Sequence, residues 1–215
     1  MKYLAVIGDV VDSKRVKGRK EFQSQLADVL KRASQRNAAL VSPYTITLGD
    51  EFQAVYRQAD RLFVDLFAIL REVHPVEVRF AVGLGELSTA INPKQALGMD
   101  GPAFHRAREG IIGLKKTEFR LRIQGDDSGI ESVFDPWRLI NHLLNLVSHK
   151  TGSWGRNRWH ILSGLLTGRT VAELEEELKI SRVAVYKNIN AAALDEIKES
   201  CDEITRFLNQ ELKKQ

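Results

Sequence analysis

Acidic residues stand at two places where a predicted β-strand ends. Asp9 follows the apolar run Lys2–Gly8, and Asp50 and Glu51 occupy the tip of a predicted hairpin, YTITLGDEFQAVY, at residues 44–56. Carboxylates that converge on one point repel each other unless a cation is bound, and such hard oxygen ligands suit Mg²⁺ or Mn²⁺. If the two strands are neighbours, Asp9, Asp50 and Glu51 form a candidate metal site.

Divalent ions held in this way can activate a hydroxyl and stabilise departing pyrophosphate in nucleotidyl transfer. Lys14 and Arg15 follow Asp9 closely and would reach the phosphates of a nucleoside triphosphate whose metal is bound there. Two plainer interpretations stay open. Gly49-Asp50 and Asp9 are also typical of turns and loop caps, and Lys14 and Arg15 also fit an exposed basic loop.

The elements that would position these residues alternate between strand and helix up to about residue 134. The apolar patterns predict strands at 2–8 and 76–87, a hairpin at 44–57, a short strand at 119–123, and helices at 19–39, 58–73 and 101–110. This order predicts an α+β fold with a first domain over residues 1–134. An antiparallel sheet with helices on one face, a ferredoxin-like palm, accommodates it. Gly83 and Gly85 indicate close approach of a ligand or a helix to one strand.

Beyond this point the patterns predict helices alone, in a second domain over residues 135–215. Asp135-Pro136 is a typical helix start, with Asp as the N-cap and Pro in the first turn. Helices are predicted at 137–148, 156–166, 171–178 and 182–200.

A helix-turn-helix pattern lies within this helical part. The segment TVAELEEELKISRVAVYKNI, residues 170–189, begins with a Thr-x-x-Glu capping box and resembles the helix-turn-helix of sigma-factor and response-regulator type. Ser181 would cap the second helix, and Arg182, Tyr186 and Lys187 would then face duplex DNA. Glu175 replaces a small residue of that pattern and Lys179 replaces its turn glycine. A helical hairpin that forms a homodimer is the alternative interpretation.

Composition is ordinary for a globular protein, with 43% hydrophobic and 28% charged residues. The net charge of +4 does not by itself indicate nucleic-acid binding, but the stretches 150–172 and 179–190 are basic and contain no acid. No run approaches the roughly 20 apolar residues of a membrane span, and we expect no signal peptide. Cys201 is the only cysteine, which excludes an internal disulfide. We therefore expect a cytoplasmic protein.

Three segments resemble class III nucleotidyl cyclases in the right order. ITLGDEFQAVY resembles their metal-binding hairpin and, more loosely, the GGDEF signature of diguanylate cyclases, while AVIGDVVDSK resembles their first strand. VRFAVGLGEL and MDGPAFHRARE resemble the following strand and helix. The resemblance implies that Asp9 is a metal ligand.

The predicted helix departs from the cyclase pattern at its catalytic positions. Pro102, His105 and Glu109 stand where cyclases carry an Asp, an Asn and an Arg that serve the transition state. Arg106 and Arg108 lie nearby but out of register, and they are candidates for contact with phosphate oxygens. Solvated helix arginines are the alternative. Metal or nucleotide binding is thus better supported than cyclisation.

Taken together, the acidic strand end, the GDEFQ hairpin, GPAFHRARE and the helix-turn-helix resemble the SatD family over essentially the whole chain. The resemblance implies a two-part cytoplasmic protein. We expect a transcriptional regulator in which a metal- and nucleotide-binding palm is coupled to a DNA-binding helix-turn-helix. The alternatives are an active nucleotidyl cyclase or nucleotidyltransferase, and an interaction protein whose two sites are degenerate.

Overall fold

A computed structural model describes residues 1–35, 37–47, 49–126 and 134–214 of the chain. Five strands lie in these segments: β1 (Lys2–Val10), β2 (Leu40–Ile46), β3 (Glu51–Tyr56), β4 (Val78–Glu86) and β5 (Leu121–Gln124). The helices there are α1 (Arg19–Gln35), α2 (Leu62–Val73), α3 (Pro102–Leu114), α4 (Pro136–Thr151), α5 (Arg156–Leu166), α6 (Val171–Leu178), α7 (Arg182–Ala192) and α8 (Leu194–Lys213). The α+β class predicted from the sequence is confirmed.

The five strands form one mixed sheet in the order β2-β3-β1-β4-β5. Pairing is antiparallel from β2 to β4, with β1 at the centre of the sheet. The last strand, β5, instead runs parallel to β4, with Phe80 opposite Leu121. This departs from the expected antiparallel sheet because α3 connects β4 to β5 as a crossover, and a crossover returns the chain in the same direction.

Helices cover both faces of the sheet. On β1, Leu4 and Val6 belong to the apolar cluster formed with α1, α2 and the C-terminal helices, while Ala5 and Ile7 pack in a second cluster with α3. The expectation of helices on one face is therefore wrong. The physical reason is visible in β1 itself, because a strand that is apolar at successive positions must be buried on both sides.

The second face of the sheet is covered by α3, which packs very close to β4. A Cβ atom at Gly83 would lie 2.0 Å from the carbonyl oxygen of Ala103 and 2.5 Å from the backbone nitrogen of Ala107. This confirms the close approach predicted from the strand glycines. The helix also extends four residues beyond its predicted end at Gly110, because that glycine faces Ala81 on β4 and does not terminate the helix.

The C-terminal helices pack on the same face as α1 and α2. Phe67 on α2 and Trp159 on α5 have ring centroids 6.1 Å apart, and one apolar cluster runs through both parts of the chain. The helix predicted at 182–200 is interrupted at Ala193, which adopts a left-handed conformation with φ 54° and separates α7 from α8. The division into domains 1–134 and 135–215 stays a prediction.

Candidate functional site

The three predicted metal ligands lie at one edge of the sheet. Asp9 on β1 is directly opposite Glu51 on β3, and residues opposite each other in an antiparallel pair place their side chains on the same face. Asp50 precedes Glu51, and its carbonyl oxygen accepts a hydrogen bond of 3.1 Å from the backbone nitrogen of Val10. The structure therefore brings the acids at the end of the first strand and at the hairpin tip together. We call these three residues the carboxylate edge.

Three basic side chains already neutralise this edge. Lys115 Nζ lies 2.8 Å from Asp9 Oδ1, and Arg79 Nη1 lies 3.8 Å from Asp9 Oδ2. Arg108 donates through both terminal nitrogens to the two carboxylate oxygens of Glu51. Hydrogen bonding to Glu51 raises the pKa of Arg108, which keeps it charged. The edge is thus an ion-pair cluster in which the side chain of Asp9 is only 8% exposed.

Sequence reasoning missed two of these cations. Arg79 could have been found, because residues two apart on a strand face the same side of the sheet. Arg79 therefore shares the side of Ala81 on β4, which is also the side of Asp9. Lys115 could not be found, since the predicted helix stopped at Gly110, whereas α3 continues to Leu114 and carries the lysine to Asp9.

The carboxylate edge offers the hard oxygen atoms that Mg²⁺ and Mn²⁺ prefer. Each carboxylate nevertheless has a partner already, since Asp50 Oδ2 accepts a hydrogen bond of 2.5 Å from Ser13 Oγ. Within residues 1–35, 37–47, 49–126 and 134–214, no three His, Cys, Asp or Glu side chains converge as a metal site would require. A metal ion could contact these oxygens only if Lys115 and Arg108 left the carboxylates.

An exposed basic loop lies beside the carboxylate edge. It comprises residues 14–18 together with the first two residues of α1, and it carries Lys14, Arg15, Lys17, Arg19 and Lys20. The loop is held to the hairpin tip at both of its ends, by the bond from Ser13 to Asp50 and by a 3.2 Å hydrogen bond from Gln23 Nε2 to the carbonyl of Gly49. Only the first two of the five cations were singled out in the sequence.

The two arginines predicted to contact phosphate are placed apart. Arg108 joins the carboxylate edge, whereas Arg106 Nη1 donates to the carbonyl of Leu84 at 2.6 Å and Arg106 Nη2 lies 2.7 Å from Asp126. Successive helix residues are rotated by about 100°, so side chains two positions apart point in nearly opposite directions. The structure does not bring Arg106 to the carboxylate edge.

The three departures from the cyclase pattern, Pro102, His105 and Glu109, all lie on α3. His105 Nε2 is 2.8 Å from Asp100 Oδ1, and both side chains are 64% exposed. Pro102 occupies the first turn of α3, and Glu109 is exposed on its surface. His105 is thus engaged with Asp100 and not with an acid of the carboxylate edge.

A second candidate site lies on the helices α5, α6 and α7. The predicted capping box is present, with the Thr170 hydroxyl accepting from the backbone of Glu173 and the Glu173 carboxylate accepting from the backbone of Thr170. Hydrogen bonds to Thr170 also lower the pKa of Glu173. Ser181 caps α7 as predicted, by accepting from the backbone nitrogen of Ala184 at 3.3 Å. Lys179 adopts the left-handed conformation, φ 52°, that a glycine would favour in this turn.

Close packing between α5 and α6 depends on a glycine of α5. A Cβ atom at Gly164 would lie 2.5 Å from Leu174 Cδ2. The small residue at this contact is therefore on α5, whereas α6 carries Glu175 where the helix-turn-helix pattern has a small residue. Val185 and Ile189 of α7 are buried against this pair. The opposite side of α7 is left exposed.

All three residues predicted to contact DNA lie on that exposed side. Tyr186 is 51% exposed, Lys187 is exposed, and the side chain of Arg182 is 60% exposed. Arg182 is also paired with Glu175 across the turn, where Nε and Oε2 are 3.0 Å apart. The face can meet a partner, although one of its two cations is already engaged by an acid.

Comparison with known proteins identifies the family. The sequence model of the SatD family matches residues 3–210, nearly the whole chain, so the protein belongs to the SatD family. No curated protein matches it. In the parts of the chain that the structure describes, no helix combines the length and the apolar character needed to cross a membrane.

Proposed function

We propose that this SatD family member is a cytoplasmic regulator that binds a nucleoside triphosphate with Mg²⁺ or Mn²⁺ at the carboxylate edge and binds duplex DNA through α7. The observation that carries the proposal is the register that places Asp9 opposite Glu51, next to the basic loop. Acids for a divalent ion and cations for phosphate oxygens then stand side by side.

The order of the first four strands supports a palm-like ancestry for this site. The strand order β2-β3-β1-β4 with antiparallel pairing is the one expected of a ferredoxin-like sheet, and β5 adds a parallel strand to it. In such a sheet, the end of the central strand and the adjacent hairpin tip meet at one edge. The strand order is therefore compatible with a site for a metal ion and a nucleotide at the carboxylate edge.

The carboxylate edge also indicates what these residues would do on binding. Asp9, Asp50 and Glu51 would hold the metal, which supplies positive charge to the phosphates. Lys115 and Arg108 would be released from their carboxylates and become available to phosphate oxygens, together with Lys14 and Arg15 of the basic loop. Arg106 has no part in this site, because its guanidinium is held at the other end of β4.

The residues of α3 favour nucleotide binding without a catalysed reaction. The cyclase-like helix lacks the catalytic side chains of that family, and His105 is paired with Asp100. Release of pyrophosphate or a cyclic product in the presence of Mn²⁺ would instead establish the alternative, an active nucleotidyl cyclase or nucleotidyltransferase.

Nucleotide binding can be tested by calorimetric titration of the full chain with ATP and with GTP, each with Mg²⁺ or Mn²⁺. We expect saturable binding to the wild type and at least about tenfold weaker binding to Asp50→Asn, because one metal ligand is lost. Arg106→Gln is the matched control and should bind like the wild type. Equal affinities for the wild type and Asp50→Asn would contradict the metal site.

DNA binding by α7 is the second element of the proposal, and the exposed cationic side chains of that helix support it. A helix presented in this way after a short turn enters a major groove in helix-turn-helix proteins. The acid-free stretches around residues 150–172 and 179–190 add a positive field. A homodimer would place two such helices on one duplex.

The pairing of Arg182 with Glu175 gives a sharp test. In fluorescence anisotropy with a genomic fragment pool, Arg182→Gln with Lys187→Gln should weaken binding and reduce its salt dependence, because two phosphate-neutralising charges are lost. Glu175→Gln should strengthen binding, since it frees Arg182. Glu176→Gln removes a neighbouring exposed acid and controls for net charge alone. Equal effects of the two glutamate variants would show that the pairing has no role.

A further inference from the structure

A cavity of about 190 Å³ lies between the sheet part and the helix-turn-helix, and none of the residues that line it belongs to the carboxylate edge. It is lined by residues of α1 and α2 on one side, and by α5, α6 and the turn between them on the other. The cavity is small beside the roughly 300–1,000 Å³ of pockets that hold drug-sized ligands. Its size suits a small ion or a single charged group.

The charged residues of the lining favour an anion. Four arginines face three acids: Arg32, Arg61, Arg71 and Arg169 against Asp65, Glu72 and Glu177. Glu72 is shared, since its carboxylate lies 2.6 Å from Arg71 and 3.5 Å from Arg32. Arg169 is paired with Glu177. The arginines of the lining therefore outnumber its carboxylates.

Of the four arginines, Arg61 has the weakest interaction with an acid. Its nearest acid, Asp65, is 3.9 Å from its Nη2, and the carboxylate of Asp65 already accepts from Asn37 at 2.6 Å and from Tyr56 at 2.9 Å. The Nε atom of Arg61 is buried and has no hydrogen-bond partner among the described residues. A buried donor of this kind is costly unless a ligand or water satisfies it.

A second buried donor lies on the opposite wall. The side chain of Ser163 on α5 is buried, and within the described segments its hydroxyl has no partner. His160 lies one turn earlier on the same wall. Burial and the nearby charge of Arg71 lower the pKa of His160, as expected beside an electropositive cavity.

We propose that this cavity binds a phosphate group, held between Arg61 of the sheet part and Ser163 and Arg169 of the helical part. A guanidinium and a hydroxyl are both donors that phosphate oxygens accept, and the tetrahedral oxygens reach donors on two walls at once. The ligand is a small phosphorylated metabolite or free phosphate. Because it contacts α2 and α5 together, its binding stiffens the junction between the sheet and the helix-turn-helix.

The site is distinct from the carboxylate edge, which needs a divalent ion. The probe is inorganic phosphate, titrated into the full chain without divalent metal and in chloride buffer. We expect saturable binding that Arg169→Gln weakens by about tenfold and that Ser163→Ala also weakens. Ser163→Ala leaves the net charge unchanged, so its effect reports a local contact. Glucose 6-phosphate titrated in parallel distinguishes a sugar phosphate from the free ion.

Two controls keep the test decisive. Arg206→Gln removes an arginine of α8 that is 66% exposed and outside the cavity, and it should bind phosphate like the wild type. Asp50→Asn should do the same, which separates this site from the proposed nucleotide site. Thermal unfolding with and without phosphate should show a stabilisation that Arg169→Gln loses. No saturable binding, or binding lost in Asp50→Asn but kept in Arg169→Gln, would overturn the proposal.

Discussion

Asp65 is a carboxylate held almost entirely inside the protein. It is 3% exposed on α2 and accepts hydrogen bonds from the Asn37 amide and from the Tyr56 hydroxyl, which in turn lies 2.7 Å from the hydroxyl of Tyr44. Burial raises the pKa of Asp65 and also the pKa values of both tyrosines. This network links α2 to β2 and β3 beneath the helical part.

Loss of the Asp65 acceptor should destabilise the protein. We expect Asp65→Ala to lower the free energy of unfolding by about 2–4 kcal/mol, because two buried donors, on Asn37 and Tyr56, lose their acceptor and each such loss costs roughly 1–3 kcal/mol. Asp65→Asn keeps one acceptor oxygen and should cost less. Urea unfolding at neutral pH measures both, and a loss below about 0.5 kcal/mol for Asp65→Ala would contradict the network.

The same residue predicts a pH dependence. A carboxyl whose folded pKa is raised contributes stability below its unfolded pKa of 3.8, and this contribution is lost as pH rises through the folded pKa. The wild type should therefore lose stability relative to Asp65→Asn as pH increases from about 4 towards 7. A difference that stays constant over this range would show that the carboxyl titrates normally.

For single residues, the sequence predicts the positions of the acids more reliably than the positions of the cations that pair with them. Asp9 and Glu51 could be placed together because strand ends and hairpin tips follow from local patterns. Lys115 could not, since its position depends on how far a helix continues over a sheet, which tertiary packing decides. The Ser163 hydroxyl, which has no partner among the described residues, could not be found from the sequence either, because burial of a hydroxyl is a property of the assembled cavity.

Among the elements, α3 shows how glycines set the distance between a helix and a sheet. Gly110 and Gly113 are both interior to this helix, yet their surroundings differ. A Cβ atom at Gly110 would lie 2.8 Å from the Cβ of Ala81, whereas the nearest atom to one at Gly113 would be Arg122 Nη1 at 3.6 Å. The first position is closed by packing and the second has ordinary room.

These two positions form a matched pair for mutation. We expect Gly110→Ala to destabilise the protein by about 1–3 kcal/mol through overpacking. Gly113→Ala should stabilise it by roughly 0.5–1 kcal/mol, since alanine favours the helix and meets no obstacle. Chemical denaturation of both variants is the measurement. Equal changes of the same sign would refute the close approach of α3 to β4.

Helix positions were predicted well where local signals are strong. The bounds of α5 and α6 agree with the sequence prediction, and the capping residues Thr170 and Ser181 act as predicted. The break at Ala193 was missed because a left-handed alanine carries no turn signature in the sequence. Helix placement on both faces was missed because periodicity reports burial, not which neighbour provides it.

For the whole molecule, a chain of packed helices joins the two candidate sites. The start of α1 is tied to the hairpin tip through Gln23, and Gln25 further along donates to the carbonyl of Glu72 on α2. Phe67 of α2 then packs on Trp159 of α5, which lies against α7 in the same apolar cluster. We therefore propose a sensing role, in which nucleotide bound at the carboxylate edge changes DNA binding by α7, and a binding measurement tests this coupling.

The most direct test of that role is the affinity of the full chain for DNA with and without bound nucleotide. Anisotropy at fixed salt should be measured with Mg²⁺ alone and with Mg²⁺ and ATP or GTP, using the wild type and Asp50→Asn. We predict that nucleotide changes the wild-type dissociation constant by about fivefold or more and leaves that of Asp50→Asn unchanged. An identical wild-type affinity, under conditions in which calorimetry shows the nucleotide bound, would contradict the account.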